Sequence, residues 1–221
     1  MKRVVVPELL DTDAGTPAEV QGSLADLRMF NRWFGGAGTS YNLFRKVAKA
    51  RDLDRISCLE VAAGSGDVPA VVRDRLRQDG IELQITLLDR ALTHLNHGAQ
   101  RVVGDALHLP FRDGTFDLIS SGLFAHHLEP AQVISFVNES LRVARVAVLV
   151  NDLIRDPLHL ALVYAGLPLY RSRLTRHDAP ASVRRAYTVV EMNEMLRQTE
   201  AARVEIELHY LFRMGVIAWR K

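Results

Sequence analysis

The chain of 221 residues carries 28 basic and 26 acidic side chains, a net charge of +2, with 48% hydrophobic and 24% charged residues. That composition fits one sizeable globular domain, or a core with a modest cap, and sets up no overall field that would draw nucleic acid. The single cysteine, Cys58, excludes an intrachain disulfide framework and fits a reducing, cytoplasmic compartment. No stretch reaches the roughly 18 apolar residues that a membrane span needs, and the first ten residues lack the apolar core of a signal peptide.

Residues 1–22 are rich in turn formers and acids (Pro7, Asp11, Asp13, Gly15, Pro17) and are expected to wrap the surface. Ser23 with Asp26 three residues later has the form of a helix-capping pair. The helix it starts would carry Leu24, Leu27, Met29, Phe30, Trp33 and Phe34 and end at Gly35-Gly36. A second helix, about Ser40 to Arg51, places Leu43, Val47 and Ala50 on one face. Residues 1–55 therefore read as an N-terminal helical lid.

From Ile56 onward strands and helices alternate. Strands are expected at 56–61, 83–88, 101–103, 116–121, 145–151, 203–209 and 212–219. Helices are expected at roughly 68–79, 91–97, 130–143 and 189–200, the last begun by the capping pair Thr188 and Glu191. Alternation implies parallel pairing with right-handed crossovers, whereas the last two strands are so close that they must form a hairpin. The fold class is α/β: a Rossmann-like, seven-stranded, mostly parallel sheet with an antiparallel last strand, helices on both faces and a helical lid. Residues 152–187 are too long for an ordinary connection and read as a cap inserted in the 56–221 domain.

Three stretches carry chemistry. Residues 56–66, Ile-Ser-Cys-Leu-Glu-Val-Ala-Ala-Gly-Ser-Gly, form an apolar run, an acid and a small-residue turn before a helix. A buried strand, a turn without bulky side chains and free helix N–H groups suit a nucleotide. Asp89 follows Gly66 by 23 residues, where an acid can accept hydrogen bonds from both hydroxyls of an adenosine ribose. Third, Gly104-Asp105-Ala106 leads through Leu109-Pro110-Phe111 to Phe116-Asp117.

That order, over about residues 56–150, resembles class I S-adenosylmethionine (SAM) methyltransferases of the ubiquinone- and menaquinone-pathway type. Ala62 stands where that family has its first Gly. The resemblance implies SAM as cofactor, bound by Glu60, Ala62, Ala63, Gly64, Gly66, Asp89, Arg90, Asp105, Ala106 and Ser121. In that reading Asp105 takes the adenine amino group, Ala106 gives a backbone N–H to the ring, and Asp117 is structural. Glu60 favours the cationic part of SAM, and Arg32 pairs with its carboxylate if the lid helix folds over the site. Arg32 as a solvent-facing helix residue is the open alternative.

The candidate catalytic residues are His126 and His127, in the segment after the fourth strand, at the crevice where ligands of such sheets sit. An imidazole of ordinary pKa near 6.5 can take a hydroxyl proton; packing and helix capping are the alternative. Asn151-Asp152 and His177-Asp178 lack the spacing of a dedicated metal site, so no metal is expected. Asn151 or Asp152 would contact the acceptor or tether the cap. The cap's apolar stretch, Pro157 to Tyr164, and its cluster Arg171, Arg173, Arg176, Arg184 and Arg185 suit an apolar or aromatic acceptor, an acceptor anion or a membrane surface; packing and a solvated face compete. The expected activity is O-methylation of an aromatic, polyketide-like or quinone-precursor small molecule. C-methylation of a quinone-type precursor and an inactive methyltransferase-like partner protein are the alternatives. Neither a nucleic-acid partner nor stable membrane insertion is expected, and a homodimer remains open.

Overall fold

The computed structural model describes residues 1–10, 14–90 and 100–221. Its centre is a seven-stranded sheet of order β3-β2-β1-β4-β5-β7-β6. The strands are β1 (Arg55–Val61), β2 (Glu82–Asp89), β3 (Gln100–Val103), β4 (Phe116–Gly122), β5 (Ala144–Leu153), β6 (Arg203–His209) and β7 (Arg213–Trp219). The first five pair in parallel, and β7 runs antiparallel to both β5 and β6. The helices are α1 (Pro17–Trp33), α2 (Gly36–Arg51), α3 (Asp67–Gln78), α4 (Pro130–Val143), α5 (Pro157–Gly166), α6 (Arg173–Arg185) and α7 (Val189–Leu196). The α/β class, the order of elements and the hairpin at the end are as the sequence implies. The helix expected at 91–97 lies outside the described residues.

Side-chain alternation along each strand divides the core in two. Ile56, Cys58, Leu118, Ala147, Leu149, Ile217 and Trp219 face α2 and α3, meeting Leu43, Phe44, Val47, Val72 and Leu76. Leu59, Val61, Ile119, Val148, Val150 and Val216 face α4 and α7, meeting Val133, Phe136, Val137, Met192 and Met195. The same alternation places Glu60, Ser120 and Asn151 on the α2/α3 side at the carboxyl ends of their strands. Ser121 and Asp152 point to the other side.

The lid begins earlier than the sequence implies. The true cap is Thr16, whose hydroxyl accepts from the Glu19 N–H while Glu19 returns to the Thr16 N–H, with Pro17 at the first helical position. Ser23 and Asp26 have the same spacing but lie inside α1 and are spent on tertiary contacts. Asp26 Oδ2 accepts from the N–H groups of Arg171 and Ser172 at 2.9 and 3.1 Å, and Ser23 meets Thr175. α2 also starts early, directly after Gly35 at φ +82°, where a Cβ would sit 2.6 Å from the Tyr210 carbonyl.

Residues 152–187 contain α5 and α6, and α6 packs on α1. The cap's cations are largely used within the protein: Arg173 pairs with Glu19 at 3.0 Å, Arg176 binds the Tyr170 carbonyl, and Arg184 meets the Tyr164 hydroxyl. By contrast Leu158, Leu162 and Leu169 stay exposed, so the helical apolar spacing of this stretch does not bury it under the sheet. No described helix is long and apolar enough to cross a membrane.

Asp26 is the pin between lid and cap. Asp26→Ala removes a buried carboxylate from two N–H donors, so it should cost about 1.5–3 kcal/mol in denaturant unfolding. Hydrogen exchange should rise first at residues 170–175, before the sheet is affected.

Candidate functional site

β1 leaves the sheet at Val61 and turns sharply. Ala62 takes φ +54°, a glycine-like angle, and Gly64 and Gly66 take +50° and +72°. The turn is tied back by Ala63 N–H to the Leu88 carbonyl at 3.1 Å and Gly66 N–H to the Ala63 carbonyl at 2.9 Å. At Gly66 a Cβ would come within 2.7 Å of Leu87 Cδ1, whereas at Gly64 it would meet open space. Gly66 therefore serves the packing of α3 against β2, while Gly64 holds a glycine-type angle with no described atom within 4 Å of a Cβ there.

Asp89 ends β2 and supports this turn directly: its Oδ2 accepts from the Gly64 N–H at 2.8 Å. Just past β3, Asp105 Oδ1 accepts from the Leu107 N–H and its Oδ2 from Arg90 Nη2 at 3.1 Å. The Leu107 N–H first, and Arg90 next, hold the Asp105 carboxyl below its ordinary value. Ala106 is buried beside it. Arg90 thus meets Asp105, and Asp89 meets the 62–66 turn. Arg32 lies over the Trp33 ring at 5.8 Å, while Arg28, one turn earlier in α1, pairs with Asp67 in the first turn of α3 at 3.7 Å.

Glu60 is the buried charge of this edge. It is 5% exposed and in register with Ser120 of β4, which supplies its hydrogen bond. Among the described residues no cation is paired with it. Burial therefore pushes its carboxyl from 4.5 up to about 7. Ser121, one residue on, has a buried hydroxyl without a partner among the described residues.

On the other side of the sheet, β4 runs into a 3₁₀ turn, Ala125–His127. Asp152, inside β5 and 1% exposed, accepts from the His126 backbone N–H at 2.9 Å and faces His126 Nδ1 at 2.6 Å. The third partner comes from the N-terminal segment: Glu8 Oε1 lies 3.5 Å from His126 Nε2 and 3.8 Å from His127 Nε2. Burial alone would lower the His126 pKa, but Asp152 and Glu8 raise it to about 10. Without a competing ligand His126 is thus an imidazolium at neutral pH, with no lone pair for a proton. That corrects the expectation of His126 as a base of ordinary pKa. His127 is more open, with Arg185 Nη2 donating to its carbonyl at 2.6 Å.

Asn151 turns away from the cap and donates to the Gly36 carbonyl and Ser40 hydroxyl, so it anchors α2. Asp178 accepts from the N–H groups of Leu9 and Leu10, holding the strand of chain that delivers Glu8. Asp117 is structural, accepting from the Ser57 N–H and hydroxyl. Glu8 was invisible to sequence reasoning because it sits in a turn-rich segment 118 residues from His126 with no local pattern. A cleft of about 380 Å³ lined by Ala50, Arg203 and Trp219 lies at the opposite edge, since Trp219 pairs with Ala147 at the start of β5. Ligands of such sheets sit outside the carboxyl ends of the strands, so this cleft is not the site.

Residues 59–147 match the family model for the methyltransferase domain. The match runs from β1 into β5, less than half of the chain, and likens that stretch to a methyltransferase domain. The plantazolicin methyltransferase BpumL, in a structure with SAH, superposes with a TM-score of 0.68 at 13% identity, covering 97% of this chain and 95% of that one. Its counterpart BamL, with SAH and a triazolic desmethylPZN analogue, gives 0.63 at 14%, covering 87% and 89%. A SAM-dependent methyltransferase from Aquifex aeolicus gives 0.55 at 17%, covering 80% and 89%. At these identities the likeness is one of fold. Comparison with curated protein sequences finds no match.

Two outcomes test the turn and its acid. Because the folded Glu60 pKa of about 7 stands above 4.5, its contribution to stability is full below pH 4.5 and is lost as pH rises through 7. Glu60→Gln should therefore flatten the pH dependence of unfolding between about pH 5 and 8 and gain up to about 3 kcal/mol at pH 8. Ala62→Gly should be neutral to about 1 kcal/mol stabilising, as relief at φ +54° outweighs the added freedom of the unfolded chain.

Proposed function

We propose that the protein moves the methyl group of S-adenosylmethionine to a small-molecule acceptor, with an oxygen of an aromatic, polyketide-like or quinone-precursor compound as the first reading. The observation that carries the cofactor is Glu60, a buried carboxylate with no cation beside it among the described residues. A ligand bearing a sulfonium and an ammonium supplies that missing charge, and the sulfonium is what makes its methyl group transferable. Around it stand Asp89 for the ribose hydroxyls, Asp105 and Ala106 for the adenine, and the 62–66 turn with open space at Gly64. Ala62 supports an active protein, since it holds the backbone angle a glycine would hold there. Arg32, Arg90 and Ser121 complete the proposed cofactor set.

SAM arrives activated, so alignment in line with the acceptor and exclusion of water supply most of the acceleration. The acceptor faces the group formed by Glu8, His126 and His127, toward which a hydroxyl proton leaves. His127, with the more accessible ring, is the residue proposed to touch the acceptor, and His126 fixes its position. Exposed Leu158, Leu162 and Leu169 on the cap favour an apolar or aromatic acceptor. A peptide-derived acceptor is the second reading, favoured by the likeness to BpumL, which binds azolic desmethylPZN analogues, over 92–97% of this chain.

Calorimetric titration with SAM and SAH tests the cofactor. Asp89→Ala removes a charge-assisted acceptor, so affinity should fall roughly 10- to 150-fold, part of it through the loosened Gly64 turn. Unchanged affinity in a folded variant would take Asp89 out of the site. Glu60→Gln should weaken SAM more than uncharged-sulfur SAH, because only SAM carries the sulfonium. Equal losses would remove Glu60 from the sulfonium.

A further inference from the structure

We propose that Glu8, His126 and His127 form a binding site for one divalent transition-metal ion, zinc in the first place. Their ligand atoms converge: each offers one nitrogen or oxygen, and all lie within 4.8 Å of one another. The spacing is the telling quantity. Glu8 Oε1 stands 3.5 Å from His126 Nε2 and 3.8 Å from His127 Nε2. A shared proton would draw a carboxylate and an imidazole to about 2.7–2.9 Å. A tetrahedral zinc ion with bonds of about 2.0–2.1 Å instead holds its ligand atoms roughly 3.3 Å apart. The two separations from Glu8 lie a few tenths of an ångström above that edge, and all three ligand atoms stay within 4.8 Å of one another, so a modest closure of the rings completes the set.

A second observation points the same way. His126 Nε2 is buried, its ring 3% exposed, and beyond Glu8 at 3.5 Å no described residue gives it a hydrogen-bond partner. Its other nitrogen is fixed by Asp152 at 2.6 Å, and the backbone N–H of the same residue binds the other Asp152 oxygen. A carboxylate on Nδ1 that aims Nε2 at a point is the second-layer arrangement of histidine metal ligands. Ser182 holds Glu8 as well, its hydroxyl donating at 2.8 Å to Oε1, the oxygen that faces both rings and keeps a further lone pair for an ion. Against the site stands one cation: Arg185 Nη1 lies 3.4 Å from His127 Nδ1. With Nδ1 carrying the proton, that outer nitrogen must swing aside, while Arg185 Nη2 keeps its 2.6 Å bond to the His127 carbonyl.

Two histidines and a carboxylate are ligands of intermediate softness that suit zinc over calcium or magnesium. Three protein ligands leave a fourth position, and access is from the His127 side, where the ring is 19% exposed against 10% for Glu8. That position would take an oxygen of the acceptor and make its proton easier to lose. This role rests on the methyltransferase reading; the ion site does not.

The test uses the full chain without SAM. Purified protein is dialysed against micromolar zinc sulfate and its metal content measured, then repeated with cobalt chloride and a visible spectrum. Expected are one equivalent of zinc and cobalt bands of tetrahedral intensity. Glu8→Gln and His127→Asn should each weaken zinc binding by at least roughly 100-fold, whereas His108→Asn, an exposed histidine elsewhere, should leave it unchanged. Circular dichroism reports whether each variant folds; if Glu8→Gln does not, His127→Asn at the more exposed ring decides. Less than about a tenth of an equivalent in the wild type, or wild-type affinity in the folded His127→Asn or Glu8→Gln variant, would overturn the proposal. Zinc binding without SAH binding would leave the site standing and sink the cofactor reading instead.

Discussion

The contact between Asp152 and His126 is the joint on which the α4 side of the sheet's carboxyl edge depends. Asp152 is completely enclosed, so ionising it there is costly unless it is met by a charge and donors. His126 meets it twice, through its ring and its backbone N–H. That fixes the turn after β4 against the end of β5 and aims the ring outward, toward the first ten residues of the chain. Those residues are held in turn: Arg3 donates to the carbonyls of Leu128 and Arg185, and Asp178 receives Leu9 and Leu10. The N-terminal segment is therefore part of the site and not a wrapping.

The sheet sorts two tasks to its two faces. Successive residues of a strand point to opposite sides, so Glu60, Ser120 and Asn151 go with α2 and α3, while Ser121 and Asp152 go with the 3₁₀ turn. A buried acid stands on each side, and they are treated differently. Asp152 is paired and kept below the ordinary carboxylate range, burial raising it but His126 lowering it further. Glu60 is left with a serine and sits at about 7. A fold selected for stability alone would have no reason to keep the second. Its cost, with the strained angle at Ala62, is what the cofactor proposal rests on.

The cap's charges are tied into the fold while several stay at the surface. A run holding five arginines between Arg171 and Arg185 looks like an anion-binding or membrane-facing surface. In the folded chain Arg173, Arg176, Arg184 and Arg185 each have an intramolecular partner, and Asp26 and Glu19 of α1 bring the lid onto them. Beside them the cap also presents apolar side chains outward, Leu158, Leu162 and Leu169.

The sequence by itself determined the sheet, its alternation with helices, the closing hairpin and the small-residue turn after β1. These rest on local signals: apolar runs of strand length, capping pairs, and small residues where a turn needs positive φ. It placed β6 at 203–209, as observed, and set Glu60, Asp89 and Asp105 at the ends of successive strands. The same local rules failed where tertiary contacts compete for one residue. Ser23 and Asp26 have capping spacing, but Pro17 preceded by Thr16 starts the helix earlier and frees them to bind α6. Only the tertiary structure could bring Glu8 to His126, or show that Asn151 holds α2. Such pairings depend on where distant segments cross, and a pattern of period two or 3.6 carries no information about crossings. Burial, which sets the charge of Glu60 and His126, is likewise a property of the assembled whole.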